Sequence, residues 1–534
     1  MLKKHSRREM VKISTKICSG VSAVLLFGCS KTKEVKTHNN SIKIPIKTDI
    51  KNNYALTNKS ISLGSLSSKN SNFINHIGQS LVYSRLVTID PRTNYLYGDL
   101  ADEIEIISST KIRFRIKNNA YFHPNADFLA QPVKSEDIQR NFLEYLSAGD
   151  YFFNQVINSI DIQDEKTFVI NLNAPFAFFF DNLANISSNI YSQESYAGLD
   201  LKLGSGLFKF AMHDATSRLF EANKLTHRNN LPRLEKIIIH EYSNDREFDA
   251  AFRSQIIDVR EHPDINSYQS IRPNENVTRQ IRSSQRMIGF GLSLLPIKNK
   301  KRTRYVEAFQ DKRVRLAISN ALDRSAIAQL TEGTIASPVG HAHKSDSLSI
   351  ADLNSFKFQN YDLIESKKLL DASGYESLSF EILLKEDEKL SLLAKLLQDQ
   401  LNAINIKANL VIETEDKWNR SFEFGDFETV LFLSKPLESP EMALRLHLSD
   451  SLGGSGSQWG FSDPIFDSAV RKIYSEMILE DRSEKTLAAQ KVLLQQIPAM
   501  FPLVTPFDHV SLYKNINGYV FDSYSFNFDW LAGQ

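Results

Sequence analysis

Polar and apolar side chains alternate along Lys111-Ile112-Arg113-Phe114-Arg115-Ile116, which predicts a strand with one buried face. Thr167-Phe168-Val169-Ile170-Asn171-Leu172 and Lys236-Ile237-Ile238-Ile239-His240 predict two more strands. From Asp311 to Leu322 the period becomes helical: Val314, Ala317, Ile318, Ala321 and Leu322 stand at i, i+3, i+4, i+7 and i+8. Asp311 is placed to cap that helix by accepting a free backbone N–H. A second helix is predicted over Tyr361 to Tyr375, closed by Ser373-Gly374, where glycine suits the left-handed backbone of a helix end. A third is predicted over Leu392 to Ile404, followed by Asn405, which also tolerates that conformation; Ile406, Ala408, Leu410 and Ile412 then alternate as a strand. Such helix–turn–strand units predict α/β layers, and no internal repeat of about 20–50 residues is evident.

The pattern at the start of the chain is different. Lys3, Lys4, Arg7, Arg8, Lys12 and Lys16 are opposed only by Glu9, and an apolar run from Ile17 to Phe27 ends at Gly28-Cys29. A basic region, a short apolar region and a small residue at a cut site form the pattern of a secretory signal. The run is far shorter than the roughly 20 apolar residues that span a bilayer. Leu26-Phe27-Gly28-Cys29 resembles a bacterial lipobox, whose cysteine is lipidated and becomes the new N-terminus; an ordinary signal peptide cut nearby is the alternative. Ser6-Arg7-Arg8-Glu9 also resembles a twin-arginine signal, but Met10-Val11 replaces the bulkier pair expected there, so that likeness is read as chance. Residues 1–28 are therefore expected to be a lipoprotein signal peptide, and 29–40, polar and rich in Lys, Thr and Asn, a flexible tether.

The chain has 534 residues, too many for one core, and its 64 basic and 63 acidic side chains give no support for a nucleic-acid or polyanion partner. Loss of the signal would leave 58 basic and 62 acidic residues, a net charge of −4. Cys18 lies in the segment to be removed, so no internal disulfide is expected in an oxidising compartment. No later segment reaches about 18 consecutive apolar residues, so the remainder is expected to be soluble.

Several stretches, in order, carry a resemblance to one family. They are Leu81-Val82-Tyr83-Ser84-Arg85-Leu86-Val87-Thr88-Ile89-Asp90-Pro91, Leu100-Ala101-Asp102-Glu103, Asn118-Asn119-Ala120-Tyr121-Phe122-His123, and Pro132-Val133-Lys134-Ser135-Glu136-Asp137-Ile138, where Ser135 is expected to cap a helix. Then come Ser159-Ile160-Asp161 through Ala174-Pro175-Phe176, Gly204-Ser205-Gly206-Leu207-Phe208-Lys209-Phe210, the Asp311 to Arg324 helix, Tyr361 to Tyr375, Leu401 to Ile406, Gly425-Asp426-Phe427, and Asp463-Pro464-Ile465-Phe466-Asp467. Together they resemble the peptide-binding (oligopeptide and dipeptide, family 5) solute-binding lipoproteins of bacterial ABC importers.

The resemblance implies an α/β fold of the periplasmic-binding-protein type: two α/β lobes around a ligand cleft, with an extra subdomain in the first. On that basis 41–285 is expected to be lobe I, with the inserted subdomain at about 85–200, 286–505 lobe II, and 506–534 a return to lobe I. The crossings are placed near Ser284 to Ser293 and Leu503 to His509. The implied function is capture of oligo- or dipeptides by hinge closure. Delivery would be to ABC permease subunits with a separate ATPase, from the periplasmic face of the cell membrane. The expected protein is a lipid-anchored monomer with no cofactor and no catalytic or metal residues. Consistently, the chain has no Gly-x-x-x-x-Gly-Lys-Ser/Thr phosphate loop.

Family members also commonly pair an aspartate with the ligand's free amino group. Here the corresponding stretch is Phe432-Leu433-Ser434-Lys435-Pro436-Leu437-Glu438-Ser439-Pro440, and the anchor falls on Pro436 or Leu437, which cannot pair with an ammonium. Either Glu438 acts from a shifted position or Lys435 grips a carboxylate instead; exposed loop charges are the plain alternative. Tyr83, Ser84 and Arg85 at the cleft, Phe290 on a crossing strand, Trp418, Ser434, Lys435 and Glu438 are the candidate ligand-binding residues, and Cys29 the lipidation site. Each of the ligand-binding candidates could instead be plain core or surface, while Trp459 and Phe461 read as packing beside a Gly-Ser loop.

Rival chemistry is weaker. His341-Ala342-His343 lacks a clear third metal ligand, and Gly453-Gly454-Ser455-Gly456-Ser457 does not follow Gly-x-Ser-x-Gly. The same fold holding a metal chelate, haem or sugar, and an exported hydrolase, stay open as alternatives. A surface adhesin is also considered.

Overall fold

The computed structural model describes residues 42–44, 60–66, 73–89, 96–125, 128–196, 201–214, 216–229, 231–272, 276–294, 306–342, 345–435, 437, 439–449, 459–476, 479–514, 516–517 and 532–533. The expected signal peptide, Cys29, the tether, His343 and Glu438 lie outside these residues.

Two sheets organise the fold. One is antiparallel and five-stranded, in the order Ile42–Ile44, Ala101–Ser108, Lys111–Ile116, Thr167–Leu172, Ile157–Ile162. The expected alternation is visible in Lys111–Ile116, where Ile112, Phe114 and Ile116 are buried; Phe114 stacks on Phe168 at 5.5 Å. The second sheet has twelve strands and is mixed. Its centre is the 14-residue strand Met500–Tyr513. The first part of this strand pairs antiparallel with Ile288–Leu292, and its later part with Val277–Ser283 and Val259–His262. Beyond Ile288–Leu292 lie Thr429–Leu433, Leu378–Lys385 and Ile406–Glu413, the last two parallel to each other. Beyond Val259–His262 lie Ser60–Leu66, Lys236–Tyr242, Ser217–Ala222 and Phe208–His213.

Amphipathic helices cover these strands. Lys312–Asn320 buries Val314, Ala317 and Ile318, and Asp311 caps it by accepting from the Arg313 N–H at 2.8 Å. Leu363–Ser373 ends at Gly374 with φ +80°, a left-handed position where a side chain would be strained. Asn405 also takes a positive φ, 63°, before the Ile406–Glu413 strand. The third helix starts earlier than its apolar pattern predicts, at Glu388, because Asp387 caps it by accepting from the Leu390 N–H.

Ser135 is not the helix cap. It is the first helical residue, and its neighbour Lys134 holds the cap position, with the Lys134 backbone N–H donating to Asp137 at 3.0 Å. Asp137, three residues on, accepts the N–H of the cap residue itself.

The apolar core of the five-stranded sheet, including Phe114, Phe168 and Phe179, is continuous with that under Ile288–Leu292 and Met500–Val504. A second cluster, including Ile61, Phe220, Ile237 and Val510, lies under the other end of the large sheet.

Candidate functional site

Tyr83, Ser84 and Arg85 follow directly on the helix Phe73–Val82 and are all buried. Ser84 forms an isolated antiparallel bridge with Ile190, and the Tyr83 ring lies 5.7 Å from Tyr191. Arg85 ties three segments: its N–H donates to Asp99 Oδ2 at 2.8 Å, its Nη1 donates to the Ala184 carbonyl at 2.8 Å, and its carbonyl accepts from Leu100. The other Asp99 oxygen lies 2.9 Å from His227 Nε2. Burial pushes the Asp99 carboxyl up, but the His227 hydrogen bond and the charges of Arg228, His227 and Arg85 outweigh it and hold the group well below the usual carboxylate range. Burial pushes the His227 imidazole down, only partly offset by Asp99. Beside this pair a polar pocket of about 290 Å³ opens between Asp102, Lys117, Asn118, Asn119, His227 and Asn229.

A second group of candidates gathers on the other side of the large sheet. Phe290 sits in the middle of Ile288–Leu292, wholly buried, with its ring 6.1 Å from Phe501. Its flanking residues are glycines because the strand runs against aromatic rings: a Cβ on Gly289 would lie 2.6 Å from Phe432, and one on Gly291 2.1 Å from Trp459. Ser434 closes the adjoining strand; its N–H donates to the Met287 carbonyl at 2.8 Å, and its hydroxyl accepts from the Met287 N–H at 3.0 Å. Lys435, next along, is exposed. Trp418, on the helix Glu415–Glu423, is half-buried and stacks on Phe422 at 4.7 Å, with its indole N–H unpartnered. Phe422 in turn contacts Phe432 and Trp459. Phe290, Trp418, Ser434 and Lys435 thus share one strand pair and its aromatic packing, whereas Tyr83, Ser84 and Arg85 share the Asp99 network. Trp459 and Phe461 are buried packing residues, as expected.

A third cluster has no counterpart among the sequence candidates. Ser439 caps the helix Pro440–Arg445 and places Glu441, with no exposed surface, facing Tyr474. The Tyr474 hydroxyl donates to Glu441 Oε1 at 3.2 Å, and Arg445 Nε lies 3.7 Å from the same oxygen; Oε2 has no partner. Burial pushes Glu441 up to about 7 against Arg445 and the Tyr474 hydroxyl, with the negative charge of Asp181 adding to the rise. Residues from the far side of the chain close over it. The Arg445 guanidinium lies 3.6 Å from the Tyr151 ring centroid, and Phe176 packs on Tyr474 at 5.2 Å. The Ala177 N–H donates to the Tyr474 carbonyl at 2.9 Å. Arg482 donates to the Ala177 carbonyl at 2.6 Å and lies 3.7 Å from Asp181. In the sequence Ser439-Pro440-Glu441 signals only a helix start.

Among the described residues, no group of three or more His, Cys, Asp or Glu is placed to hold a metal ion. His341 Nε2 lies 2.7 Å from the Ile335 carbonyl, which gives it a role in shaping its own loop. No helix among the described residues is long and apolar enough to cross a membrane.

Comparison with known proteins places this architecture. The family model of bacterial extracellular solute-binding proteins, family 5 (middle), matches residues 96–437. A putative ABC transporter peptide-binding protein of Brucella ovis is 23% identical over 316 residues, 56% of this chain and 55% of that protein, so the chain's match spans about half the length of this relative. The peptide transport periplasmic protein SapA of Salmonella typhimurium is 22% identical over 475 residues, covering 82% of this chain and 84% of its own. Among solved structures, the dipeptide-binding protein from Pseudoalteromonas in complex with Met-Leu superposes with a TM-score of 0.71 at 17% identity, covering 89% of this chain and all of that one. The fold is that of the periplasmic binding proteins, as the sequence led us to expect, and the chain belongs to the family 5 bacterial extracellular solute-binding proteins.

Proposed function

We propose that this protein captures oligo- or dipeptides outside the cytoplasm and delivers them to the permease of an ABC importer, whose ATPase is a separate subunit. The observation that carries this reading is the family match across residues 96–437, which takes in strands of both sheets. The strands supply the mechanics. Met500–Tyr513 and the run from Val277 to Leu292 pair along their lengths, so the two ends of the large sheet are joined by paired strands that can flex together. We take the segments on either side as two lobes, 41–285 with 506–534, and 286–505, with a subdomain at about 85–200. A solute touching both lobes binds only the closed form and so shifts the population toward it.

Exposed Lys435 and half-buried Trp418 are the residues we assign to contact the peptide; Glu438, Tyr83, Ser84, Arg85, Phe290 and Ser434 stay candidates from the sequence. The family's anchor position falls on Pro436 or Leu437, which cannot pair with an ammonium, and Lys435 beside it in sequence is a cation, so the reading favours recognition of the peptide's carboxylate end. Titration of intrinsic tryptophan fluorescence with peptides bearing free or blocked termini tests this. Free peptides are expected to bind, and Lys435→Ala to weaken those with a free carboxylate about tenfold, or about 1.4 kcal/mol, with little change for amidated ones. Saturable binding confined to haem, a metal chelate or a sugar would replace peptide with that solute; turnover of the peptides would make the protein a hydrolase.

We further propose that the protein is exported as a monomer and held at the membrane by lipid on Cys29. In cells fed labelled palmitate the wild-type protein is expected to carry label and to sediment with membranes. Cys29→Ala is expected to lose both, and retention of the label by that variant would refute the anchor.

A further inference from the structure

The cluster around Glu441 joins parts of the chain that the proposed capture cycle must separate, and the following inference rests on that reading. On one side stand Tyr151, Phe176, Ala177 and Asp181, in segments flanking strands of the five-stranded sheet; on the other stand Glu441, Arg445, Tyr474 and Arg482, on the three helices Pro440–Arg445, Pro464–Tyr474 and Leu479–Gln496. The two sides share ring packing, a backbone hydrogen bond and an ion pair, as a closing face does. One of its carboxylate oxygens is wholly enclosed and satisfied by nothing.

We propose that this contact is the latch of the closed form and that Glu441 makes it pH-sensitive: the latch holds when Glu441 carries a proton and loosens when it is ionised. The physical reason is that an ionised carboxylate enclosed without full partners costs far more than a neutral one, and parting the two sides restores its water. The charged and titratable groups facing it are Arg445 on its own helix, Tyr474 on Pro464–Tyr474, Tyr151 ahead of the Phe152–Val156 turn, and Asp181 on Phe179–Leu183; Arg482 pairs with Asp181 behind them. Arg445 and the Tyr474 hydroxyl favour the anion, while burial and Asp181 oppose it, and burial prevails.

The sign follows from linkage. In the closed form Glu441 titrates at about 7, above its ordinary value of 4.5. Closure is therefore fully favoured below the ordinary value and loses that favour as pH rises through neutrality. With Glu441 hydrated in the open form, the closed-to-open ratio rises on the order of seventyfold between pH 8 and pH 5.

Small-angle scattering of the solute-free protein at pH 5 and pH 8 reads this ratio. The wild type is expected to contract on acidification, and Glu441→Gln, which keeps the shape and removes the charge, to stay contracted at both. Tyr474→Phe, which removes only the donated hydrogen bond, is expected to move the transition to higher pH. A pH response that survives in Glu441→Gln, a wild type that does not respond, or an unmoved transition in Tyr474→Phe would overturn the latch. Adding peptide at pH 8 separates the two ideas. If peptide contracts a pH-indifferent wild type, the latch fails and capture stands; if neither peptide nor pH moves it, both fail.

Discussion

Asp99→Ala is expected to destabilise the protein by about 3–5 kcal/mol, the cost of removing one member of a buried charged network. Asp99 is 3% exposed and accepts from the Arg85 N–H and from His227. Without it the Arg85 N–H and His227 lose this acceptor, and Arg85 and Arg228 lose a nearby negative charge. The network joins residues 85, 99 and 227, so its loss loosens the small sheet from the first part of the large one. The same carboxylate gives the wild type an acid limit. Its folded titration lies below the ordinary carboxylate value, so its contribution is complete at neutral pH, begins to fade only below about 4 and is lost as pH falls on toward the lower folded value. Urea unfolding at pH 7 and at about pH 3 checks both points: the gap between wild type and Asp99→Ala should be wide at pH 7 and narrower at the acid pH. Equal midpoints at pH 7 would show the network to be energetically silent.

Gly291→Ala is the second large effect, at about 3 kcal/mol, the upper part of the usual cost of overpacking a core. The added methyl would lie 2.1 Å from the Trp459 ring, which cannot give way. Trp459 is wholly buried, its indole N–H donates to the Leu446 carbonyl at 2.8 Å, and Phe422, Phe427 and Phe432 surround it. Gly78→Ala is the matched control. It lies in the helix Phe73–Val82, where the nearest atom would be 3.4 Å away, so it should be neutral or stabilise by up to about 1 kcal/mol. If both substitutions shifted the urea midpoint alike, the close approach of strand and indole would not matter.

Local order was legible in the sequence wherever one period ran unbroken. Strand Lys111–Ile116 lies where alternation places it, Thr167–Leu172 forms the strand its apolar run predicted, and Gly374 and Asn405 take the left-handed backbone that their positions implied. Element starts were harder to read. The helix at Glu388–Asn402 begins with an exposed polar turn that adds nothing to an apolar pattern, and Lys134 takes the cap position that Ser135 was expected to fill. The fold class came through the order of many weak motifs.

The candidate site was read less fully. Phe290 and Ser434 were named from the sequence, and the structure places Phe290 in the core and ties Ser434 to Met287. The Asp99–His227 pair spans 128 residues, and Arg482 meets Ala177 across 305. No local pattern encodes contacts of that length. Glu441 was missed for the same reason: its neighbours in sequence form an ordinary helix start, and its burial comes from Tyr474 and from residues near Tyr151.

Met500–Tyr513 comes after every strand it pairs with in chain order, yet it lies at the centre of the sheet. Until it is in place, Ile288–Leu292 and Val259–His262 each present a bare hydrogen-bonding edge. A nascent chain therefore cannot complete its architecture while those final residues are still being made. Under the export we propose, a keystone strand made after all its partners would keep the polypeptide slack for the length of the passage.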